Sequence, residues 1–328
     1  MKKLKTLLSI LSILSLFLSA QPASAQTPEK VTIAQFGQSK FLIYLPLYVA
    51  MEEGLFAKQD LDVDLKFAGN DDQIFAAVIG GSADFALGDP VFAAISKEKG
   101  GPGKVVALMI TKLGLSGYTN KPDIREITDI KQLNGLRVSS FPEPSTTYTI
   151  LSEMKKSEAP DLQIVQAAFG AQLATLEAGK ADIAVELEPG VSIAEDKGYK
   201  VVLDINKYSD PQAVTGITTT EETIKDRPEM VQKFVTALQE AMTILHTDKE
   251  KAIRVALKSF PELKENIVRT AINRMLAKDV YPQSIVMDDV YWQRTLKTRI
   301  DSGDLKKPQT TDTAVDNSFA LKAQQDRK

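Results

Sequence analysis

Short apolar runs alternate with longer amphipathic stretches along the chain from residue 31 onward. The apolar runs have the length of buried strands, and the stretches between them carry apolar residues at helical spacing. In the first part of the chain the predicted strands are 31–35, 61–67, 83–87 and 105–111, and the predicted helices are 45–53, 71–79 and 90–99. Strands that alternate with helices in this way are typical of a mainly parallel sheet covered by helices.

The same alternation begins again after Gly117 and changes once more after Pro211. The second run predicts strands at 136–140, 162–166, 181–185 and 201–203, with helices at 145–155 and 172–177. After Pro211 one strand, 214–218, precedes a series of amphipathic helices at 228–246, 249–258, 262–277 and 287–301. Because these helices leave no strands for a third sheet, we expect them to pack on the first one.

The predicted fold class is α/β, with two lobes joined by two crossings of the chain. Lobe 1 is predicted to comprise residues 26–113 and 213–328, and lobe 2 residues 114–212. The crossings fall near 112–117 and 204–216. Two connections between two lobes form a hinge about which the lobes open and close.

Two similar phrases occur, one in each predicted lobe. Residues 81–90, GSADFALGDP, recur as residues 179–189, GKADIAVELEP. Each initial glycine follows an apolar helical stretch and is predicted to end that helix in the left-handed conformation. A buried strand follows, and an acidic residue with proline is predicted to begin the next helix as N-cap and first residue. The two lobes are therefore expected to share one design.

The first 25 residues differ from the rest of the chain. Three lysines within residues 2–5 precede an apolar run at 7–18, and the sequence Ala-Ser-Ala follows at 23–25. This pattern predicts a secretory signal peptide that is cleaved after Ala25. A retained anchor is the less favoured interpretation, because about a dozen apolar residues fall short of the roughly 20 that span a bilayer. We therefore expect a periplasmic protein.

Composition excludes several classes of function. The chain has 43 acidic and 40 basic residues, and three of the lysines belong to the predicted signal peptide. This acidic balance argues against nucleic acid or an anionic membrane as the partner. The sequence has no cysteine, which excludes thiol nucleophiles, cysteine-rich zinc sites, iron–sulfur clusters and a lipid anchor on cysteine. We expect no cofactor and no metal.

Candidate solute-binding residues lie in the loops that leave the predicted strands, because ligands bind outside the carboxyl ends of strands in open parallel sheets. The first loop offers the amide, hydroxyl and aromatic side chains of Gln35, Phe36, Gln38 and Ser39. The apolar stretch after it contains Tyr44. An ordinary loop without a ligand is an equally good interpretation of this segment.

The second and third loops each begin a predicted helix. Asp89 is most simply an N-cap, and this role leaves the end of its helix free to face a ligand. Ser145, Thr146 and Thr147 follow two prolines and begin the next helix with hydroxyls and free backbone N–H groups. Such a helix start receives an anionic or strongly accepting group, although capping explains the hydroxyls equally well.

The fourth loop carries two carboxylates, Glu186 and Glu188, where the chain leaves a buried strand. Glu188 precedes a proline and has the simple interpretation of a helix cap. Glu186 has no such structural role in the pattern. Glu186 is therefore the stronger candidate of the two for contact with a ligand.

Catalysis is poorly supported by the sequence. The single histidine, His246, lies beside the apolar stripe of its predicted helix, and we interpret it as a partly exposed surface residue. One histidine away from the loops forms neither a Ser-His-Asp triad nor a metal site with two histidines. The carboxylate pairs at 71–72 and 288–289 lie at predicted helix starts, where acidic side chains interact favourably with the helix dipole. We expect a protein that is not an enzyme.

Four features together resemble one protein family. They are residues 46–63 (PLYVAMEEGLFAKQDLDV), the two Gly-x-Ala-Asp phrases, residues 133–138 (LNGLRV) and residues 184–189 (AVELEP). In order and spacing they are similar to the solute-binding proteins of nitrate, sulfonate, taurine and thiamine-precursor ABC importers, over nearly all of the predicted mature chain. The resemblance implies a type II periplasmic-binding-protein fold. It also implies a monomer that closes on a small solute and docks on a membrane permease with its ATPase subunit.

The resemblance places the solute between the first two loops, in lobe 1, and the last two, in lobe 2. Many relatives carry an aromatic residue just before the second acidic-proline pair, whereas this chain has Leu187 there, preceded by Glu186. The four loops contain no arginine, and Lys40 is their only cation. We therefore expect an organic solute with polar and aromatic or amine character, and not a small inorganic anion.

Two other functions stay open. One is an enzyme on the same fold, of the kind that forms thiamine pyrimidine or acts in menaquinone synthesis. The pyrimidine-forming relatives use a segment rich in cysteine and histidine that this chain lacks, and a signal peptide argues against cytoplasmic biosynthesis. The other is a ligand-presenting sensor component, whose partner is a receptor instead of a permease.

Overall fold

The computed structural model describes residues 27–143 and 145–326, which form two five-stranded sheets with helices packed on them. The predicted signal peptide lies outside the described residues. The strands are β1 (Glu29–Gln35), β2 (Leu61–Phe67), β3 (Phe85–Gly88), β4 (Lys104–Ile110), β5 (Ser116–Thr119), β6 (Arg137–Ser140), β7 (Gln163–Gln166), β8 (Ile183–Glu186), β9 (Lys200–Asp204) and β10 (Thr215–Thr219). The helices are α1 (Leu45–Glu52), α2 (Asp71–Ile79), α3 (Val91–Glu98), α4 (Thr146–Ser157), α5 (Gln172–Glu177), α6 (Gly190–Asp196), α7 (Glu221–Asp226), α8 (Pro228–Thr247), α9 (Lys249–Ser259), α10 (Glu265–Ala277), α11 (Asp289–Ser302), α12 (Thr311–Ala314) and α13 (Ser318–Gln325).

Both sheets are mixed, but four of the five strands in each run in the same direction, so each sheet is mainly parallel, as the sequence pattern predicts. Sheet 1 has the order β2-β1-β3-β10-β4 and sheet 2 the order β7-β6-β8-β5-β9. In each sheet, the strand that follows a crossing between the sheets lies between two others and is antiparallel to both: β10 in sheet 1, β5 in sheet 2. Each of these strands arrives from the other sheet, so it enters at the edge where the parallel strands end.

The chain passes between the sheets twice, between β4 and β5 and again between β9 and β10. We call sheet 1 with its helices lobe 1, and sheet 2 with its helices lobe 2. The α/β class with two lobes and two crossings is the fold that the sequence predicts. The residue numbers of the lobe boundaries, 113/114 and 212/213, stay a prediction.

The C-terminal helices pack on sheet 1, as the sequence pattern predicts. Helices α8, α9 and α10 share one buried apolar core with α1 and strands of sheet 1. The ring of Phe234 on α8 lies between Phe56 and Phe85, with centroid distances of 4.8 and 4.1 Å. On the opposite face of the sheet, Trp292 of α11 is fully buried beside α3. Sheet 1 is thus covered on both faces.

The repeated phrase has the same local structure in both lobes. Gly81 and Gly179 follow α2 and α5 in the left-handed region, with φ of 70° and 68°. The aspartates of the two phrases, Asp84 and Asp182, each accept a hydrogen bond from the backbone N–H of a neighbouring strand, at 2.7 and 2.8 Å. The shared phrase therefore fixes the entry of the buried strand in each lobe.

The helices after the two phrases begin one residue later than predicted. Pro90 and Pro189 are the N-caps of α3 and α6, and not their first residues. The preceding carboxylates still cap: Asp89 accepts from the N–H of Val91 at 2.9 Å, and Glu188 accepts from Ser192 at 3.1 Å. Within the described residues, no helix is long and apolar enough to cross a membrane.

Candidate functional site

The two lobes meet where the carboxyl ends of their parallel strands face each other. Phe36 and Phe41 follow β1 in lobe 1, whereas Phe141 and Phe169 follow β6 and β7 in lobe 2. The ring of Phe169 lies edge-on to Phe36 at 5.2 Å and to Phe41 at 6.2 Å, and it stacks on Phe141 at 4.4 Å. We call these four residues the aromatic cluster, and it joins the two lobes across the cleft.

The first predicted loop is held from within by Gln35. Gln35 is fully buried, and its side-chain amide donates to the carbonyl of Ser39 at 3.1 Å. Its amide oxygen accepts from the hydroxyl of Tyr48 at 2.7 Å. Gln38 and the rest of Ser39 are exposed. Gln35 therefore shapes the loop, while Phe36 carries its contact with lobe 2.

Tyr44, which is buried, and Asp71, which is partly buried, are polar residues close to one another in lobe 1. The hydroxyl of Tyr44 hydrogen bonds to the side chain of Thr215, and burial together with nearby Asp71 raises the pKa of Tyr44. Asp71 accepts from the backbone N–H of Asp89 at 2.7 Å. Burial, and next the charge of Asp89, raise the pKa of Asp71 to about 7. Asp71 thus lies in the cleft wall, although the sequence pattern suggests only a helix start.

Asp89 has a charged partner that the sequence does not reveal. Its second carboxylate oxygen lies 2.5 Å from Nη2 of Arg299 on α11, and Arg299 also contacts Asp304 at 3.1 Å. Arg299 is only 8% exposed. Asp89 is therefore both a helix cap and half of a buried ion pair, which leaves it little free hydrogen-bonding capacity.

The third predicted loop meets the second across a small cavity. Ser145 is the N-cap of α4 and accepts from the N–H of Tyr148 at 3.2 Å, while Thr147 is buried. Thr146 faces lobe 1 and lines a cavity of about 10 Å³ together with Thr149, Asp89, Arg299, Thr295, Thr298 and residues 212–214. This volume holds roughly one water molecule. The lobes are therefore close together on this side of the cleft.

Glu188 in the fourth loop is joined to lobe 1. Its carboxylate is fully buried and forms an ion pair with Arg274 of α10. The same guanidinium contacts Glu195 of α6 and the hydroxyl of Ser192, the latter at 3.1 Å. Leu187, between the two glutamates, packs against the cores of both lobes. Glu188 is thus part of the interface between the lobes.

Glu186 is the buried carboxylate of the cleft without a cation. It is 8% exposed, and it accepts a hydrogen bond from the backbone N–H of Leu187 at 3.2 Å. No ion pair to Glu186 is formed within residues 27–143 and 145–326. Burial, and to a lesser extent Glu188, raise the pKa of Glu186 to about 8. The carboxyl is therefore mostly protonated at neutral pH.

The sequence does not predict several of the site residues, among them Asp71, Phe169, Arg274 and Arg299. Both arginines belong to C-terminal helices whose sequences show only amphipathic periodicity, so nothing local connects them to loops far earlier in the chain. Asp71 has a local signal, because an acidic residue at a helix start need not be the cap. The N-cap of α2 is Asn70, which forms a capping box with Gln73. Asp71 is thus free to accept from Asp89.

Features outside the cleft contain none of the predicted site residues. His246 lies on α8, where its ring contacts the carbonyl of Pro282 and the amide of Gln283, both at 3.1 Å. An open depression of about 430 Å³ lies against the crossing segment 206–211 and Lys112. Among the described residues, no group of three histidine, aspartate or glutamate side chains is placed to hold a metal ion.

The chain has relatives among binding proteins. It is 25% identical over 321 residues to YtlA of Bacillus subtilis (strain 168), which is named as a candidate binding protein, with 95% of each chain covered. The periplasmic aliphatic sulphonate binding protein SsuA of Escherichia coli has a similar structure, with a TM-score of 0.69 and 16% identity, covering 88% of this chain and 92% of SsuA. These values show that the fold is shared.

Two further structures show the range of proteins on this fold. The ligand-binding component of an ABC-type import system from Staphylococcus aureus has a TM-score of 0.69 and 15% identity, covering 90% of this chain and 99% of the other. The desulfurization enzyme DszB has a TM-score of 0.67 and 12% identity, covering 92% of this chain and all of the other. The fold therefore serves both binding proteins and an enzyme.

The family follows from the sequence itself. The model of the family described as NMT1/THI5 like matches residues 43–252. This range includes β2 to β10, Tyr44 and the second, third and fourth candidate loops, but not the first loop at residues 35–39. The chain belongs to the NMT1/THI5-like family.

Proposed function

We propose that the protein is the extracytoplasmic solute-binding component of an ABC importer, which captures a small organic solute between two closing lobes and delivers it to a permease. The family and the binding proteins that share its fold support this proposal. The proposed solute contacts lie in the cleft, at the ends of strands from both lobes. They are Gln35, Phe36, Gln38, Ser39, Tyr44, Asp89, Ser145, Thr146, Thr147, Glu186 and Glu188.

The contact of Phe169 with Phe36 and Phe41 is the observation that carries the proposal. It joins side chains from both lobes at the ends of β1 and β7. The cavity lined by Thr146 holds roughly one water molecule, so a solute of several heavy atoms would fit there only if the lobes separate. A protein whose cleft opens for its ligand and closes over it is suited to capture and delivery.

The test is a thermal-shift screen of the purified secreted protein with sulfonates, nitrate, pyrimidines, aromatic acids and amines. A ligand that binds only the folded, closed protein raises the unfolding temperature by mass action. We expect one chemical class to stabilise the protein, with one solute bound per chain and recovered unchanged. If no compound stabilises the protein, or if it converts the stabilising compound, the binding-protein proposal is wrong.

An enzyme on the same fold is the second candidate, favoured by the similarity to DszB. The chain offers no cysteine, and His246 lies on α8 away from the predicted loops. Asp71 and Glu186 are the candidates for acid–base catalysis, because their pKa values of about 7 and 8 suit proton transfer. Mass spectrometry of the solute after prolonged incubation separates the two functions, because only an enzyme forms product.

The proposed location is the periplasm. Expression of the full chain is expected to yield a periplasmic protein whose first residue is Gln26, detected by N-terminal sequencing of the periplasmic fraction. An uncleaved chain in the cytoplasm would contradict this part of the proposal. A sensor component is expected in the same location. Co-purification with a receptor instead of a permease would favour the sensor role.

A further inference from the structure

One face of sheet 2 carries buried polar atoms that the fold leaves without partners. The hydroxyls of Tyr118 and Ser139 and the side-chain oxygen of Gln172 form no hydrogen bond within residues 27–143 and 145–326. All three side chains belong to residues that are 0% exposed. A buried polar atom without a partner costs about 1–3 kcal/mol. Three such atoms in one lobe therefore call for a function.

Strand register places two of these residues on either side of Ala184, on the sheet face that also carries Glu186. Tyr118 on β5 and Ser139 on β6 are both paired with Ala184, the residue at the centre of β8. Side chains of directly paired residues lie on the same face of a sheet. Glu186 is two residues further along β8, so it shares that face. Tyr118, Ser139 and Glu186 thus surround one position.

Gln172 approaches the same position from the covering helix. It is the first residue of α5 and lies one turn before Leu176, which packs in a core with Tyr118 and Ala184. Residues four apart share one helix face, so Gln172 also points toward the sheet. Because α5 runs into β8 through a tight turn, its first residue lies at the end of β8 that carries Glu186. Gln172, Tyr118, Ser139 and Glu186 together are called the Glu186 pocket.

The helix after β8, α6, packs closely against the side chain of Glu186. A Cβ atom added to Gly190, the first residue of α6, would lie 2.2 Å from Cγ of Glu186. The absence of a side chain at residue 190 therefore allows the carboxylate to lie against α6. Leu187, the residue next to Glu186, packs on both lobes, so the pocket lies beside the interface between them.

The charged groups around Glu186 are already paired with other partners. Arg274 is bound to Glu188 and Glu195. Lys278 reaches Ser116, the register partner of Glu186, at 3.0 Å and forms an ion pair with Asp204 at 2.9 Å. Glu188 is the nearby anion. The pocket therefore lacks a cation of its own.

We propose that the Glu186 pocket binds the protonated amino group of the solute that is captured in the cleft. This inference rests on the proposed function, because it names the solute class of the same cleft. An ammonium group donates up to three hydrogen bonds and needs acceptors. The pocket supplies acceptors: the Glu186 carboxylate, the free oxygen of Gln172, whose amide nitrogen donates to Ala167, and the two hydroxyls.

The same atoms exclude an anionic head group. An ammonium group favours the ionised form of Glu186, whereas a sulfonate or nitrate placed here would face the amide oxygen of Gln172 and, among the described residues, no cation to balance its buried charge. The arginines that would bind an anion, Arg274 and Arg299, are each shared between two carboxylates. The chemistry of the pocket thus differs from what a sulfonate-binding site requires.

The test compares head groups on a common skeleton. Binding of benzylamine, benzyl alcohol and phenylmethanesulfonate, and of the corresponding butyl compounds, is measured on the secreted protein by titration calorimetry and ligand-observed NMR. The amine is expected to bind about tenfold or more tightly than the alcohol and the sulfonate, the difference expected for a charged hydrogen bond. Glu186→Gln is expected to abolish this preference, and Tyr118→Phe to weaken it severalfold.

The matched control is Glu158→Gln, which removes an exposed carboxylate at the far end of α4 in the same lobe and should leave the preference unchanged. If alcohols or sulfonates bind and amines do not, or if Glu186→Gln keeps the preference for amines, this inference is wrong while the proposed function stands. If no compound of any head group binds, the proposed function fails as well.

Discussion

The guanidinium of Arg274 donates a hydrogen bond to the carboxylate of Glu188 and thereby joins the two lobes. Arg274 lies on α10, which packs on the core of sheet 1, and Glu188 lies in the loop between β8 and α6 of lobe 2. The carboxylate is fully buried and the arginine side chain is 16% exposed. The pair therefore works as a buried link that holds the cleft closed.

Replacing Arg274 by methionine should destabilise the protein strongly. The change leaves Glu188 as a buried charge without its partner, and breaking such a pair costs about 3–5 kcal/mol. The free energy of unfolding in urea at pH 7 measures this loss. Lys264→Met is the control, because Lys264 joins Asp196 of the same interface at 2.8 Å with a side chain that is 70% exposed. An exposed pair contributes less than about 1 kcal/mol, so equal losses in the two variants would contradict the assigned role.

Replacing Glu186 by glutamine should change how stability depends on pH. Burial raises the pKa of Glu186 from its ordinary value near 4.5 to about 8 in the folded protein, so the folded state binds the proton more tightly than the unfolded state. Stability is therefore lost as the pH rises from about 4.5 through 8. Glu186→Gln removes this loss and should raise the free energy of unfolding at pH 8.5 by up to about 4 kcal/mol. If the free energy of unfolding of the variant and of the unchanged protein depends on pH in the same way between pH 5 and 8.5, this prediction is wrong.

Replacing Asp182 by asparagine should have the opposite effect on the free energy of unfolding at neutral pH. Hydrogen bonds from Arg137, and further ones from Lys121, hold the pKa of Asp182 well below its ordinary value. This carboxylate stabilises the protein at neutral pH. The stabilisation is lost as the pH falls below the ordinary pKa of an aspartate and toward the lower pKa that Asp182 has in the folded protein. Asp182→Asn should therefore be less stable than the unchanged protein at pH 7, with a difference that shrinks in acid. A difference that grows in acid would be inconsistent with the ion pairs seen here.

The fold could be predicted from the sequence because the hydrophobic periodicity and the turn residues along the chain agree with the strands and helices that form. The alternation of strands and helices identifies the elements, and the repeated phrase at Gly81 and Gly179 marks equivalent helix ends in the two lobes. β5 is the strand that the pattern misses. It contains Gly117, where a Cβ atom would lie within 3 Å of Ile183 and Leu203, so this strand is buried through the lack of a side chain and not through an apolar run.

The candidate site could be predicted only in part. The pattern identifies the loops because strand ends are recognisable, and it separates Glu186 from Glu188 because only the latter precedes a proline. It does not reveal which carboxylates are paired, since Arg274 and Arg299 reach the loops through tertiary packing of distant helices. Nor does it reveal the Glu186 pocket, whose members come from four elements that only the sheet register brings together.

Replacing Phe169 by alanine should weaken solute binding without a large loss of stability. The ring is 38% exposed and contributes most of the aromatic contact between the lobes. Aromatic pairs contribute about 0.5–1.5 kcal/mol each, so two lost contacts across the cleft predict a weakening of about tenfold. Phe67→Ala on β2 removes a ring of similar exposure, 41%, and should leave the dissociation constant unchanged. Calorimetric titration measures the dissociation constant of both variants. If the two constants are equal, the aromatic cluster does not help to close the cleft.

The distance between the lobes with and without solute tests the central claim most directly. The chain has no cysteine, so a pair of spin labels at Asp64→Cys on β2 and Gln163→Cys on β7 reports only on the edge strands of the two sheets. Pulsed electron paramagnetic resonance measures the distribution of distances between the labels. We predict that a solute which stabilises the protein shifts the distribution to a single, shorter distance. A solute that binds and leaves the distribution unchanged would contradict capture by closing lobes.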